Sequence, residues 1–474
     1  MRKTKIVCTL GPASNSYEMI KALALAGMNV ARFNFSHGTQ DSHLDTFRLV
    51  TRVRNELHLP IATLLDTRGP EIRLKTFENG PIILNEGDAF TLTTRDVPGD
   101  QGIVSITYGG LPHDLQDHTR ILIDDGLVEL RVESKTDTDI MTRVVSGGQI
   151  SNRKGVNVPG VHLSMPYVSE SDRDDILFGI RTGFDYVAAS FVRGREDVET
   201  IRQLLDDNGG KHVRIVAKIE NADGVAHIDE ITAASDAVMI ARGDMGVEIP
   251  FEEIPIIQKR IIKAASMAGR QVITATQMLE SMVSHPRPTR AEITDVANAI
   301  YDGTSATMLS GETASGQYPV EAVLTMARIA ERAENDIHYR KRFFERSVDE
   351  VNATITDAIS HATCLIALNM HAAAIISVTK SGTTAKMISR FRPDMPIIAC
   401  TPEASTYRQL SLSWGVTPIT IAEERVTDVL FEQAVSASLD TGLIKPGDLV
   451  VLTAGVPLTV SGTTNLIKVV KVPE

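Results

Sequence analysis

The sequence predicts an α/β protein: a (β/α)8 TIM barrel with an inserted small β-barrel domain and a C-terminal α/β domain. Three observations predict it. Eight short β-branched runs alternate with helix-patterned segments, the helical period vanishes between the third and fourth runs, and the pattern starts afresh after about Tyr339. The 474 residues suffice for about three domains, at roughly 150 residues each. With 43% apolar and 23% charged residues, a disordered or fibrous chain is excluded.

The strand candidates, in order, are Lys5–Leu10, Asn29–Ser36, Ile61–Thr67, Tyr186–Val192, Arg214–Glu220, Ala237–Asp244, Gln271–Gln277 and Ser305–Gly311. Most begin as continuous apolar runs, as parallel strands covered on both faces do. Helical patterns fill the intervals at Tyr17–Ala26, Asp41–Leu57, Ser171–Thr182, Glu196–Asp206, Gly224–Ala233, Ile256–Ala268 and Thr289–Ile300. The last opens with a capping box, Thr289 and Glu292 three residues apart. Alternation of this kind over eight units points to the closed barrel.

From about Pro70 to Met165, short alternating runs replace the helices: Ala89–Thr93, Ile103–Tyr108, Arg120–Ile123, Leu127–Glu133 and Ile140–Val145. Gly and Asp punctuate them, the mark of a small all-β module. Inserted after the third strand, it lies on the barrel's active face, where it can act as a lid. After Tyr339 a helical stretch, Ser347–Leu368, leads into runs at Ala373–Thr379, Pro396–Thr401, Gly415–Ile421, Asp448–Ala454 and Leu466–Val472. The expected division is therefore a barrel from residues 1–69 and 166–339, a lid of residues 70–165, and a C-terminal domain of residues 340–474.

The formal net charge is −12, so electrostatics give no general help in binding nucleic acid or an anionic membrane. An anionic substrate needs a local cationic site or metal ions. Three scattered cysteines, Cys8, Cys364 and Cys400, form no CxxC pair, which fits a reducing compartment. The N-terminus lacks a signal h-region, and no stretch approaches ~20 apolar residues. A cytoplasmic location, with no nucleic-acid or membrane partner, is the expectation.

A barrel carries its chemistry at the C-terminal ends of its strands, and the polar residues cluster there. The second strand ends with Arg32, Asn34, Ser36 and His37; the third with Asp66 and Thr67; the fourth with Ser190 and Arg193. The fifth ends with Lys218 and Glu220, the sixth with Arg242, Gly243 and Asp244, the seventh with Thr276, the eighth with Ser310 and Glu312. Arg32, Arg73 and Lys218 suit phosphate oxygens. Glu220 and Asp244 end adjacent strands and suit one shared divalent ion, as Mg²⁺ is held at phosphate sites. Each charge alone fits equally a salt bridge across the barrel mouth; the ensemble at eight strand ends is harder to explain so.

The blocks KIENADG (218–224), ARGDMGVEIP (241–250) and ATQMLESM (275–282) closely resemble the pyruvate kinase family. TKIVCTLGPAS (4–14), NVARFNFSHG (29–38), DTRGPEIR (66–73), PRPTRAE (286–292) and MLSGETASGQYP (308–319) do so as well. The likeness runs through nearly the whole chain, weakest in the β insert and the C-terminal third. It implies transfer of a phosphoryl group from phosphoenolpyruvate to ADP, giving pyruvate and ATP, at the last step of glycolysis. It places Lys218 at the transferring phosphoryl group and Mg²⁺ (or Mn²⁺) on Glu220 and Asp244, a second ion arriving with the nucleotide. Substrate contacts fall to Arg32, Ser190, Gly243, Asp244 and Thr276. The nucleotide falls to Asn34, His37, Arg73 and Asp124, although Asp124 fits equally a turn residue before Asp125-Gly126. Thr276 takes part in protonating the enolate, with Ser310 and Glu312 near a water relay, or is simply a β-branched strand residue. Asn34, Ser36, Asp66 and Thr67 match the family's K⁺ site. Glu71 matches the position where Glu goes with K⁺ dependence and Lys supplies an internal cation.

Many relatives carry a Lys directly after the Arg that matches Arg193. Here Gly194 stands there, followed by Arg195, so the likeness assigns no nucleotide contact to that loop. Thr379, Lys380, Ser381, Gly382, Thr383 and Thr384 join a strand to a helix and resemble the family's effector loop, with Ser461–Thr464 in a second loop nearby; ordinary turns read the same way. The Arg that eukaryotic relatives use for a second phosphate has no match in Val426–Ala434, which implies a sugar monophosphate or a nucleotide as the phosphorylated effector. Relatives imply a homotetramer. Two rivals stand beside this reading: a metal-dependent aldolase acting on pyruvate enolate, and a non-catalytic sugar-phosphate sensor.

Overall fold

Eight parallel strands close into a barrel in the computed structural model, which describes residues 2–345, 354–457 and 463–474. They are β1 (Lys5–Leu10), β2 (Val30–Asn34), β3 (Ala62–Asp66), β4 (Tyr186–Ala189), β5 (Arg214–Ile219), β6 (Ala237–Ala241), β7 (Gln271–Ala275) and β8 (Ala306–Leu309). Each pairs in parallel with its neighbours in the chain, and β8 closes on β1. Alternation sorts the side chains. In β5, Ile215, Ala217 and Ile219 face the surrounding helices, while Val216 packs inside with Val7, Val30, Leu64 and Ala188. Two residues further along five strands, the next interior layer is polar: Thr9, Arg32, Asp66, Ser190 and Lys218, all buried.

The strands stop earlier than the apolar runs suggest. β6 ends at Ala241 because Arg242–Glu248 turns at once into a helix. β4 ends at Ala189, and Phe191 takes a left-handed φ of 54°. The expected helix Gly224–Ala233 is two, Ala222–Ala226 and Ile228–Ala234, broken at His227. Pro319–Asp336 forms a further barrel helix, with Pro at its start, that the pattern reading does not include. The capping box of helix Arg290–Asp302 forms as expected, and Glu292 also accepts from Ser281.

The insert is a seven-stranded sheet with a two-stranded ribbon, and a single bridge, Leu74 to Ile106, joins the two edges of that sheet into a small barrel. Its strands Ile72–Arg73, Ile82–Leu84, Gly148–Ile150 and Gly155–Asn157 are absent from the sequence reading. Runs of two or three residues carry no measurable period. In the C-terminal part, helix Ile355–Asn369 precedes a five-stranded sheet ordered Val416–Thr420, Ile397–Thr401, Ala374–Val378, Leu449–Ala454, Leu466–Lys471. The start of the expected helix, residues 347–353, and the pair Ser461-Gly462 lie outside the described residues.

The C-terminal part also supplies the barrel's floor. Leu412 packs among the interior residues of β1–β8, and the Tyr186 hydroxyl donates to Gln409 O at 2.6 Å. Lys5 Nζ donates to Val416 O at 2.7 Å. Burial, helped by nearby Arg2 and opposed by Glu334, brings the Lys5 ammonium down to about 7. Between there and the unfolded value near 10.4 the unfolded chain holds a proton that the native state lacks, so this group makes stability rise with pH. Lys5→Met is expected to flatten that rise: urea midpoints measured from pH 7 to 9 should climb less in the variant than in the wild type.

Candidate active site

The polar interior layer forms one hydrogen-bonded unit. Lys218 Nζ donates to Ser190 Oγ at 2.7 Å and lies 3.0 Å from Asp66 Oδ1 and 2.9 Å from Glu220 Oε1. Arg32 Nε donates to Asp66 Oδ2 at 2.6 Å, and its Nη1 to Thr9 Oγ1 at 2.9 Å. Burial alone would lower the Lys218 pKa, but Asp66, Glu220 and Asp244 outweigh it and raise it, so the ammonium persists at all working pH values. Burial likewise would raise Asp66, yet Arg32 and Lys218 hold its carboxyl below the ordinary range. Glu220 goes the other way. Burial pushes it up to about 8, Lys218 counteracts, and the neighbouring Asp244 adds to the rise. Two carboxylates therefore share one cation unequally: Asp66 has two positive partners and Glu220 one.

Glu220 Oε2 accepts from Phe191 N at 2.6 Å. Its Oε1, though close to Lys218, accepts no hydrogen bond and is fully buried. An acceptor-only oxygen with a free lone pair is what a divalent ion needs, so Glu220, with Asp244 on the next strand's exit, fits Mg²⁺. Among the described residues no group of three or more His, Cys, Asp or Glu gathers at metal-binding distance, so substrate and water oxygens must complete such a site. The K⁺ candidates lie side by side: Asn34 pairs with Asp66 in register, and Asn34, Ser36 and Thr67 line the cleft. Their donor set is all oxygen with one carboxylate, which fits K⁺ chemically. Several of those oxygens are already engaged: Asn34 Oδ1 accepts from Ser36 N at 3.1 Å, Thr67 Oγ1 donates to Ala188 O at 3.2 Å, and both Asp66 oxygens face Arg32 or Lys218.

Thr276 and Gln277 both take left-handed φ angles, 67° and 54°. A β-branched residue there is strained, and such strain gathers at functional sites. The Thr276 hydroxyl donates to Ala275 O at 2.6 Å and accepts from Gly243 N at 2.8 Å. Ser310 Oγ is buried without a partner. Glu312 has both oxygens committed, to Leu279 N at 3.0 Å and Ser310 N at 2.7 Å, so it braces two loops.

A cleft of about 460 Å³ opens between barrel and lid, bordered by Arg32, Lys218, Glu220 and Asp244 below and Asp124 and Lys154 above. His37 is exposed at its edge. Arg73 borders it too, with Nε donating to Glu71 Oε2 at 2.7 Å. Asp124, in a left-handed turn with Asp125, accepts from Lys154 Nζ at 2.8 Å, so the turn role and a cleft position coincide. Arg193 pairs with Asp197, and Arg195 turns away along its helix to Glu199. Glu248, which the motif reading passes over, borders the cleft; burial pushes its carboxyl up to about 7, opposed by the Ala222 backbone amide and by the side chain of Asn157 at the end of the last lid strand.

The lid leaves the barrel through two hinges. At the first, Gly69 takes φ 77°, and a Cβ there would stand 2.8 Å from Ser190 Cβ, so only glycine fits. Asp172 Oδ1 accepts from Arg68 N at 3.0 Å, and its Oδ2 from Ser169 Oγ at 2.8 Å, pinning the first hinge to the end of the second.

In the C-terminal part, Thr379–Thr384 do join a strand to helix Thr383–Arg390. Gly382 N donates to Thr379 Oγ1, Ser381 and Thr383 share a hydroxyl contact, and Thr384 Oγ1 meets Thr464 Oγ1 at 2.8 Å. Lys380 pairs with Glu423 at 3.0 Å at the mouth of a cavity of about 70 Å³.

A family model described as "Pyruvate kinase, barrel domain" matches residues 1–323, and one described as "Pyruvate kinase, alpha/beta domain" matches residues 357–470. A curated pyruvate kinase from Geobacillus stearothermophilus is 51% identical over 470 residues, covering 99% of this chain and 80% of its own length. One from Clostridium acetobutylicum is 48% identical over 470 residues, covering 99% of both. The crystal structure of a pyruvate kinase from Cryptosporidium parvum superposes with a TM-score of 0.94 at 38% identity, covering 100% of this chain and 96% of the other.

Proposed function

The chain belongs to the pyruvate kinase family, and from that premise we propose how its own residues transfer the phosphoryl group of phosphoenolpyruvate to ADP, releasing pyruvate and ATP. The observation that carries the reading is the buried Lys218 ammonium, fixed between Ser190, Asp66 and Glu220 at the cleft floor. Phosphoryl transfer asks for positioning and charge neutralisation more than covalent chemistry. Lys218 donates to the oxygens of the moving group, and Arg32 steadies the phosphate from the next interior position. Ser190 keeps the ammonium in place.

Glu220 and Asp244 would hold Mg²⁺ or Mn²⁺, which would supply charge neutralisation at phosphate oxygens, and Asn34, Ser36, Asp66 and Thr67 would hold K⁺, which would supply a fixed positive charge. The substrate carboxylate takes over the Gly243 N–H from Thr276, which frees the threonine hydroxyl to face the enolate carbon. A threonine hydroxyl is a weak acid, so it passes a proton on within a relay that includes Ser310, whose buried hydroxyl lacks a partner. Arg73 and Asp124 from the lid, and Asn34 and His37 from the barrel rim, face the nucleotide. At Thr379–Thr384 the hydroxyls and the helix start suit one phosphate of an effector, and Glu423 and Glu424 beside the same cavity disfavour a second.

A coupled assay of ADP phosphorylation by phosphoenolpyruvate tests the function; no ATP formed by the folded protein would overturn it. The comparisons support neither the aldolase nor the sensor alternative. Glu71 makes activity K⁺-dependent, and Glu71→Lys is expected to relieve the need; rates in K⁺ and in tetramethylammonium buffers check both. Full wild-type activity without K⁺ would refute this. No described helix is long and apolar enough to cross a membrane; work in the cytoplasm is part of this reading. Exposed Phe251 and Ile256 on the barrel and the edge strand Leu466–Lys471 offer the faces for a homotetramer.

A further inference from the structure

We propose that Tyr167 is a positioning residue that couples the lid's second hinge to the Lys218 ammonium through Ser190. This rests on the reading of Lys218 as the phosphoryl-transfer residue. Tyr167 lies between the last lid strand, Gly155–Asn157, and helix Glu170–Thr182, in the segment that returns the chain to the barrel. Its hydroxyl donates to the Ser190 carbonyl at 2.9 Å. Arg193 stacks 5.7 Å from its ring centre while donating to Leu163 O, in the same hinge, at 3.0 Å.

Ser190 is the crossing point. Its N–H donates to Thr67 Oγ1 at 3.2 Å, and its Oγ to Thr67 O, in the first hinge, at 2.7 Å. The same Oγ accepts from Lys218 at 2.7 Å. Its Cβ closes on Gly69, so both hinges bear directly on Ser190. The carbonyl of Ser190 follows the end of β4, where strand pairing has stopped, and Tyr167 takes the place of a ladder partner. Burial raises the phenol well above its ordinary pKa, so the hydroxyl remains a donor throughout the working range.

Without that donor the Ser190 backbone loses one of its fixed points, and the ammonium is held less exactly when charge moves. An interaction realised only in the transition state lowers kcat and kcat/KM together. Phenylalanine keeps the ring packed against the apolar cluster outside the barrel that includes Ile215, Ala217 and Ile219, so folding is preserved.

The test is a kinetic double-mutant cycle on the full chain. Tyr167→Phe is expected to lower kcat about 5- to 30-fold, with KM for phosphoenolpyruvate and ADP changed less than about twofold. In a Ser190→Ala background, where the hydroxyl link to Lys218 is already gone, adding Tyr167→Phe should cost less than about twofold more. Thermal midpoints confirm folding of each variant. Wild-type kcat in Tyr167→Phe, an equal loss in both backgrounds, or a rise in KM for ADP alone would each overturn the coupling. Lys218→Met is run alongside. If it keeps turnover, the functional reading itself falls; if it is inactive while Tyr167→Phe is normal, only this inference falls.

Discussion

Lys218→Met is expected to lower kcat by roughly 10²- to 10³-fold, about 3–4 kcal/mol of transition-state stabilisation, by analogy with lost oxyanion donors. In the proposed mechanism the ammonium sits where charge moves, and methionine keeps the stem but removes all three donors. The fold should survive. Asp66 retains Arg32 as partner at 2.6 Å. Glu220, already pushed up to about 8 by burial, simply takes up a proton once its cation is gone. Single-turnover and steady-state rates, with circular dichroism as the folding check, decide the point. Near-normal turnover in a folded variant would remove Lys218 from the mechanism.

Asp66→Asn should cost stability as well as activity. Two buried cations, Arg32 and Lys218, lean on one carboxylate. Removing one side of a buried ion pair costs about 3–5 kcal/mol, because the other charge stays desolvated. An arginine cannot escape by deprotonation. The pH dependence follows from the lowered Asp66 pKa. A carboxyl whose folded value is depressed contributes stability that is present above the unfolded value near 3.9 and is lost as pH falls through the folded one. The urea-stability gap between wild type and Asp66→Asn should therefore be full at pH 7 and shrink below about pH 4. A gap under about 1 kcal/mol at pH 7 would mean that other groups already neutralise the two cations.

The barrel was legible in the sequence because its strands are buried on both faces and so write continuous apolar runs; β1 agrees with its predicted bounds residue for residue. Strand ends were less legible. Ala237–Asp244 reads as one run, yet the last three residues form the first turn of a helix, and composition carries no sign of where pairing stops. The site was legible as a set of residue types at strand ends, but its wiring was not. Asp66 matches a K⁺ ligand by motif, and the fold gives it a second duty as counter-ion to Arg32 and Lys218. Tyr167, Asp172 and Glu248 stand in no motif used above. Their contacts are a hydroxyl, two backbone amides and a place on the cleft wall, none of which has a sequence period. The left-handed φ of Thr276 is equally silent, since threonine otherwise marks an ordinary strand.

The floor has a consequence for synthesis. Leu412 completes the packing inside the barrel, and Lys5, in the first strand, donates its ammonium proton to the carbonyl of Val416. All eight strands have left the ribosome about a hundred residues before that stopper exists, so the nascent barrel waits with an uncovered apolar socket and an unpartnered amine at its base. The final quarter of the polypeptide thus acts as a cork for the earlier part, and an N-terminal fragment ending near residue 340 should come off the ribosome sticky, drawing chaperones or clumping, however perfect its catalytic rim.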